Sequence, residues 1–79
     1  MKLTPETIRI CRSNLGITQG TLAKRIGISG SLLGAIERDE RILMPVVERR
    51  IREAFRITDQ DIREFLEAHE KLNKIAGGE

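Results

Sequence analysis

Residues 18–37 read TQGTLAKRIGISGSLLGAIE, and this stretch decides the fold. Thr18 has the side chain of a helix N-cap, and Leu22, Ala23 and Ile26 then recur on one helical face. Gly27 predicts the end of that helix in a left-handed turn, which a Cβ would oppose. Ser29 can cap a further helix after one intervening residue, with Leu33 and Ile36 facing inward together with Ile28. Two short helices joined by so tight a turn cannot lie parallel, so the spacing predicts a steep crossing of the helix-turn-helix kind. Gly30 and Gly34 break the pattern, because each should cost about 1 kcal/mol in a helix interior.

The flanking sequence is also helical in pattern. Thr4-Pro5-Glu6 combines an N-cap, a proline at the first helical position and an acid near the positive end of the dipole. Ile8, Cys11 and Leu15 follow at helical spacing, which predicts a helix over about 5–14 that Gly16 stops. After the segment RDERILM, Pro45 starts a fourth helix with Val47, Ile51, Ala54 and Phe55 on its apolar face. Thr58 and Asp61 have the spacing of a capping box, with Asp in place of the usual Glu or Gln. Beyond them Ile62, Phe65, Leu66, His69, Leu72 and Ala76 line a stripe of over four turns, which Gly77-Gly78 ends. No strand pattern, repeat or low-complexity segment interrupts this series, so the class expected is all-α. Residues 1–57 are expected as the core and residues 58–79 as a C-terminal amphipathic helix.

Seventy-nine residues allow one modest core. With 39% hydrophobic and 33% charged residues, the chain has the make-up of a globular protein. No apolar run approaches the roughly 20 residues that cross a bilayer. The opening MKLTPETIRICR is too polar for a secretory signal. A cytoplasmic protein with no membrane partner is expected, and a single cysteine, Cys11, agrees with it. The net charge of +2 conceals an asymmetry: residues 1–57 hold eleven Lys/Arg against six Asp/Glu, and residues 58–79 hold three against six. The first part suits a polyanion and the tail does not.

Catalytic chemistry finds no support. One histidine and one cysteine give no metal-ligand spacing and no nucleophile with its base. His69 shares the apolar stripe of the last helix and reads as a core-edge or interface residue, and Cys11 reads as a small buried hydrophobe. The run GISGSLLG has neither the order of a dinucleotide fingerprint nor the lysine of a phosphate-binding loop. Its small-xxx-small spacing means little outside a long apolar span. No enzyme activity, metal, cofactor or small-molecule substrate is expected.

The order of residues in LGITQGTLAKRIGISGSLLGAIER, 15–38, resembles the helix-turn-helix core of the Cro/CI-type (XRE-like) transcriptional regulators. Thr18-Gln19 opens the second helix, Ala23 is the small residue at the crossing, Gly27 the turn glycine, and Ile28-Ser29 the start of the recognition helix. Glu37-Arg38 matches its usual end, and Arg12 matches the helix-one arginine that would pair with Glu37. The resemblance covers about residues 8–58. It implies a compact five-helix, lambda-repressor-like DNA-binding domain, double-stranded DNA as partner and a place on the nucleoid.

Two departures from the family bear on the site. The recognition face, at Ser29, Gly30, Ser31, Leu32, Gly34 and Ala35, has no long polar side chain, although direct readout relies on bidentate donors worth about 1–3 kcal/mol each. Small residues allow close approach to the groove floor, with Ser31 on a base edge and Leu32 and Ala35 on thymine methyls. Alternatively, the helix has turned to protein binding, as in an antirepressor or the interaction domain of something larger. The second departure is RDERILMP, two residues longer than the usual connection, with Asp39 in place of its glycine.

Thr18, Gln19, Lys24, Arg25, Arg38, Arg41 and Arg49 are the expected phosphate contacts, with Arg50 and Arg52 nearby on the fourth helix. Gln19 can instead brace a neighbouring side chain, and Lys24 and Arg25 can simply be solvated. On the last helix, Ile62, Phe65, His69 and Leu72 have the 3-4 spacing of a coiled-coil seam. They predict a homodimer that sets two recognition helices about 34 Å apart on an inverted repeat, and so a regulator that acts by occupying its operator.

Overall fold

A computed structural model describes residues 3–76, with side chains as far as Lys74. It contains five helices: α1 (Pro5–Asn14), α2 (Gln19–Ile26), α3 (Gly30–Glu37), α4 (Pro45–Phe55) and α5 (Asp59–Ala76). Among the described residues there is no strand. The expected stop at Gly77-Gly78 lies outside the described residues, as does the side chain of Ala76.

Four of the five helices begin where a side chain supplies a partner for the first amide groups, and α4 begins at Pro45 with no side-chain cap. Thr4, Thr18 and Ser29 hydroxyls accept from the amides of Thr7, Thr21 and Leu32. Thr58 and Asp61 form the reciprocal capping box, the Thr58 amide donating to Asp61 Oδ2 at 2.9 Å and the Asp61 amide to Thr58 Oγ1 at 3.1 Å. The helix ends are equally regular. After α1, α2 and α3, the amide of a residue past the end reaches back over the turn: Ile17 to Arg12 O, Ile28 to Ala23 O and Glu40 to Ala35 O. This ending needs a left-handed residue. Gly16 (φ 68°) and Gly27 (φ 76°) supply it, and at the third end Asp39 (φ 61°) takes the place where the family has glycine. Asp tolerates that region through its short polar side chain. Arg56, which follows α4, is also left-handed, with φ 54°.

The core gathers one stripe from every helix: Ile8 and Cys11, then Leu22, Ala23 and Ile26, then Leu33 and Ile36, then Val47, Ile51 and Phe55, and lastly Ile62. Leu3 joins them from ahead of α1, a contribution without any periodic signal. Leu15, expected on the inward face of α1, falls one residue past the helix and is exposed. Burial pushes the Cys11 thiol above its ordinary range, against a smaller opposite pull from the Arg52 guanidinium. The thiol therefore stays protonated at neutral pH. Ile62 and the half-buried Ile57 belong to the same core, so packing continues across the expected boundary at residue 57. No described helix is long and apolar enough to cross a membrane.

Candidate nucleic-acid interface

A single ionic network fixes α3 against the rest of the molecule. The Arg12 guanidinium donates through Nε to Glu37 Oε2 at 3.0 Å and through Nη2 to Glu37 Oε1 at 2.9 Å. Its Nη1 donates to the Ile17 carbonyl at 3.1 Å. Gln19 Nε2 donates to Glu37 Oε1 at 3.3 Å. Glu37 is only 3% exposed, so its charge is lodged in the interior and depends on these donors. Helix α1, the start of α2 and the end of α3 are thereby tied at one point. Of the two roles open to Gln19, bracing is the one seen in the structure.

The sequence places Gly34 on the outward face of α3, and the structure corrects this. It is buried, and a Cβ added there would lie 3.0 Å from Arg38 Nη1 and 3.3 Å from the Gln19 side-chain oxygen. Its smallness serves the packing of α3 against the Gln19 brace. Gly30 differs: it is exposed, and a Cβ there would meet nothing within 4 Å. Nothing within the protein requires a glycine at that position.

The other reading-face residues divide. Ser29 and Ser31 are exposed, although the Ser29 hydroxyl already accepts from the Leu32 amide. Ala35 is half-buried, and Leu32 packs against the core with part of its surface left open. Ser31, Leu32 and Ala35 line one shallow depression together with Glu40 and Arg41 from the connection to α4. The structure thus brings three of the expected base-reading residues onto a surface with one of the expected phosphate-binding residues.

The remaining basic residues are not gathered there. Arg38 pairs with Glu40 at 3.1 Å, both largely exposed. Arg49 is exposed. Thr18 uses its hydroxyl internally, accepting from the Thr21 amide and donating to Thr21 Oγ1. Arg52 Nη1 donates to Asp59 Oδ1 at 2.9 Å, a bond that holds the Asp59 carboxyl below its usual range. Lys24 and Arg25 line a separate cleft between α2 and α4, which no α3 residue enters.

The longer connection after α3 exposes apolar side chains that its sequence did not single out. Ile42 is 82% and Met44 54% exposed, and Val46, in the first turn of α4, is 42% exposed beside them. Ile42 and Met44 border a depression whose other walls include Leu32, Ile36 and Val47. Their lack of helical periodicity gave no means of placing them.

The dimer seam is also redistributed. Ile62 is fully buried in the protomer's own core and has no surface left for a partner, while Phe65 is half-buried against that core. His69 is half-buried beside α1 in a groove with Glu6, Arg9, Ile10, Ser13 and Asn14, its Nε2 3.1 Å from Asn73 Nδ2. Leu72, 65% exposed, is the member of the expected seam most open to solvent. Among the described residues no group of His, Cys, Asp and Glu has the arrangement of a metal site.

Comparison with known proteins agrees with this architecture. A helix-turn-helix family model matches residues 8–62. The fold is similar to that of the clp gene regulator ClgR from Corynebacterium glutamicum, with a TM-score of 0.68 and 18% identity over 94% of this chain and 79% of that one. A sequence search of the curated proteins returned no match. With the turn at Gly27, the Arg12–Glu37 tie and a family match running from α1 into α5, the chain belongs to the Cro/CI-type (XRE) helix-turn-helix family of DNA-binding transcriptional regulators.

Proposed function

We propose that the chain is a sequence-specific double-stranded DNA-binding regulator that represses transcription by occupying an inverted-repeat operator as a homodimer in the cytoplasm. The observation that carries the reading is the shared surface of Ser31, Leu32 and Ala35 with Arg41, next to the open backbone at Gly30. A hydroxyl, a methyl and a bare helix edge suit close approach to the major-groove floor, where thymine methyls and base acceptors lie. Arg38, Arg41 and Arg49 then act on phosphates, and specificity comes in part from the shape of the duplex. The likeness in fold to a protein described as a gene regulator supports the same reading. So does the exposed Leu72 on α5, which offers a second copy an apolar surface.

The exposed Ile42, Met44 and Val46 favour a second reading, in which this corner of the domain binds another protein. Salt separates the two. Binding through several phosphates weakens steeply with salt, by a slope of about −0.9 in log–log form for each phosphate neutralised. Affinity for a duplex measured from low to moderate salt should fall with a slope corresponding to roughly three or four neutralised phosphates or more. A flat response, or no binding to any duplex at low salt, would remove the DNA reading and leave the protein one.

A further inference from the structure

We propose that the cleft between α2 and α4 is a second anion site, built to hold a phosphate group and separate from the reading face of α3. Lys24 and Arg25 enter it from the last turn of α2, Arg50 and Arg56 enter it from α4 and its cap, and Glu53 is the one acid in its lining. Three arginines outside the cleft are neutralised at short range: Arg12 by Glu37, Arg38 by Glu40 and Arg52 by Asp59. The four cations of the cleft have no such pair among the described residues.

A simpler account would make these cations complements to helix dipoles, and charge decides against it. Two helix C-termini meet here, those of α2 and α4, each equivalent to about half a negative charge. Arg50 Nη1 donates to the Ile26 carbonyl at 3.4 Å and so serves the first of them. With the two dipole ends and Glu53 all counted as satisfied, about two positive charges remain without a counterpart. On a concave surface such an excess raises the local positive potential and attracts a multivalent anion. Three of the four cations are arginines, whose planar fork matches phosphate oxygens in pairs.

The same chemistry has two sources, a free polyphosphate or the backbone of DNA passing this side of the domain. From Gln19 to Arg25 is about 9 Å along α2 at roughly 1.5 Å per residue, so the cleft is displaced from the α2 start expected at the duplex. The site does not depend on the DNA reading, since its first test uses no nucleic acid. Amide chemical shifts of the intact chain would be followed during titration with pyrophosphate at constant ionic strength. The expected result is saturable movement confined to residues 24–27 and 50–56, weakened at least tenfold in Lys24→Gln/Arg25→Gln and in Arg56→Gly. These positions are exposed, and the last already has a backbone that glycine prefers, so the variants should fold.

Duplex binding by the same variants forms the second arm. A salt slope unchanged from the parent chain identifies a free polyphosphate as the source, and a slope shallower by about one for each phosphate no longer neutralised identifies DNA backbone. Non-saturable or chain-wide shifts with pyrophosphate, together with an unchanged slope, would overturn the proposal.

Discussion

At the scale of single residues, the two glycines of α3 have opposite meanings. Gly34 is enclosed by Arg38 and Gln19, so a large side chain is excluded there by contacts inside the protein. Because the atoms a Cβ would meet are the ends of flexible side chains, Gly34→Ala should gain most of the roughly 1 kcal/mol of helix propensity and not lower the melting temperature. Gly34→Leu should displace Gln19 from Glu37. Gly30 has open space around it, so Gly30→Ala should leave thermal stability at least unchanged. If DNA affinity then drops tenfold or more, its smallness serves the groove; unaltered affinity would deny it that role. Left-handed backbone gives a comparison of the same kind. Arg56→Gly should stabilise by about 0.5–1 kcal/mol, and Asp39→Gly by less, because Asp accepts that region more readily than Arg. Equal or reversed gains in urea unfolding would contradict this account of the two helix ends. The buried Cys11 should resist alkylation in the native state and react once the chain is unfolded.

At the scale of helices, the position of α3 depends on the Arg12–Glu37–Gln19 network. Arg12→Met leaves a buried carboxylate without its main partner and should cost about 3–5 kcal/mol. Arg12→Met/Glu37→Leu removes the charge as well and should recover most of that stability, with α3 less firmly placed. A single and a double variant equally unstable in urea would contradict the burial argument. Between α4 and α5, the Arg52–Asp59 bond lowers the Asp59 pKa from its ordinary value of 3.8. A depressed carboxylate contributes stability that is complete above its unfolded pKa and lost as pH falls through the folded one. The contribution is therefore complete at neutral pH, begins to decline near pH 4 and is lost as pH falls through the lowered folded value, and in Arg52→Gln the Asp59 titration should move up toward its ordinary value. Helix boundaries were legible because caps and left-handed ends are local: Thr18, Gly27, Ser29 and the Thr58–Asp61 pair each act over a single turn of chain. The Arg12–Glu37 tie became legible only through resemblance to a family, since no local spacing joins residues 25 apart.

For the whole molecule, what the sequence withheld is which arginines face one another. Periodicity places Arg49, Arg50 and Arg52 on α4 but cannot say that Arg50 turns to Ile26, that Arg52 turns to Asp59 and that Arg56 joins Lys24 and Arg25 across a cleft. Those are consequences of how α2 packs on α4 and how the chain turns from α4 into α5, which depend on the whole core. Ile62 shows the same limit, because the stripe on α5 suits both a dimer seam and the protomer's own core, and the core took it. The proposed dimer rests on the outer part of α5, around Leu72. Leu72→Glu should shift the mass in solution to that of a monomer while the melting temperature stays within a few degrees, Leu72 being largely exposed. A parent chain that remains monomeric at high concentration would remove that role from α5. The central claim, that this domain reads duplex DNA, is tested most directly by selection of bound sequences from a random duplex pool at low salt. The account predicts enrichment of an inverted repeat whose half-sites lie about one helical turn apart; a pool that stays random, with no duplex retained, would contradict it.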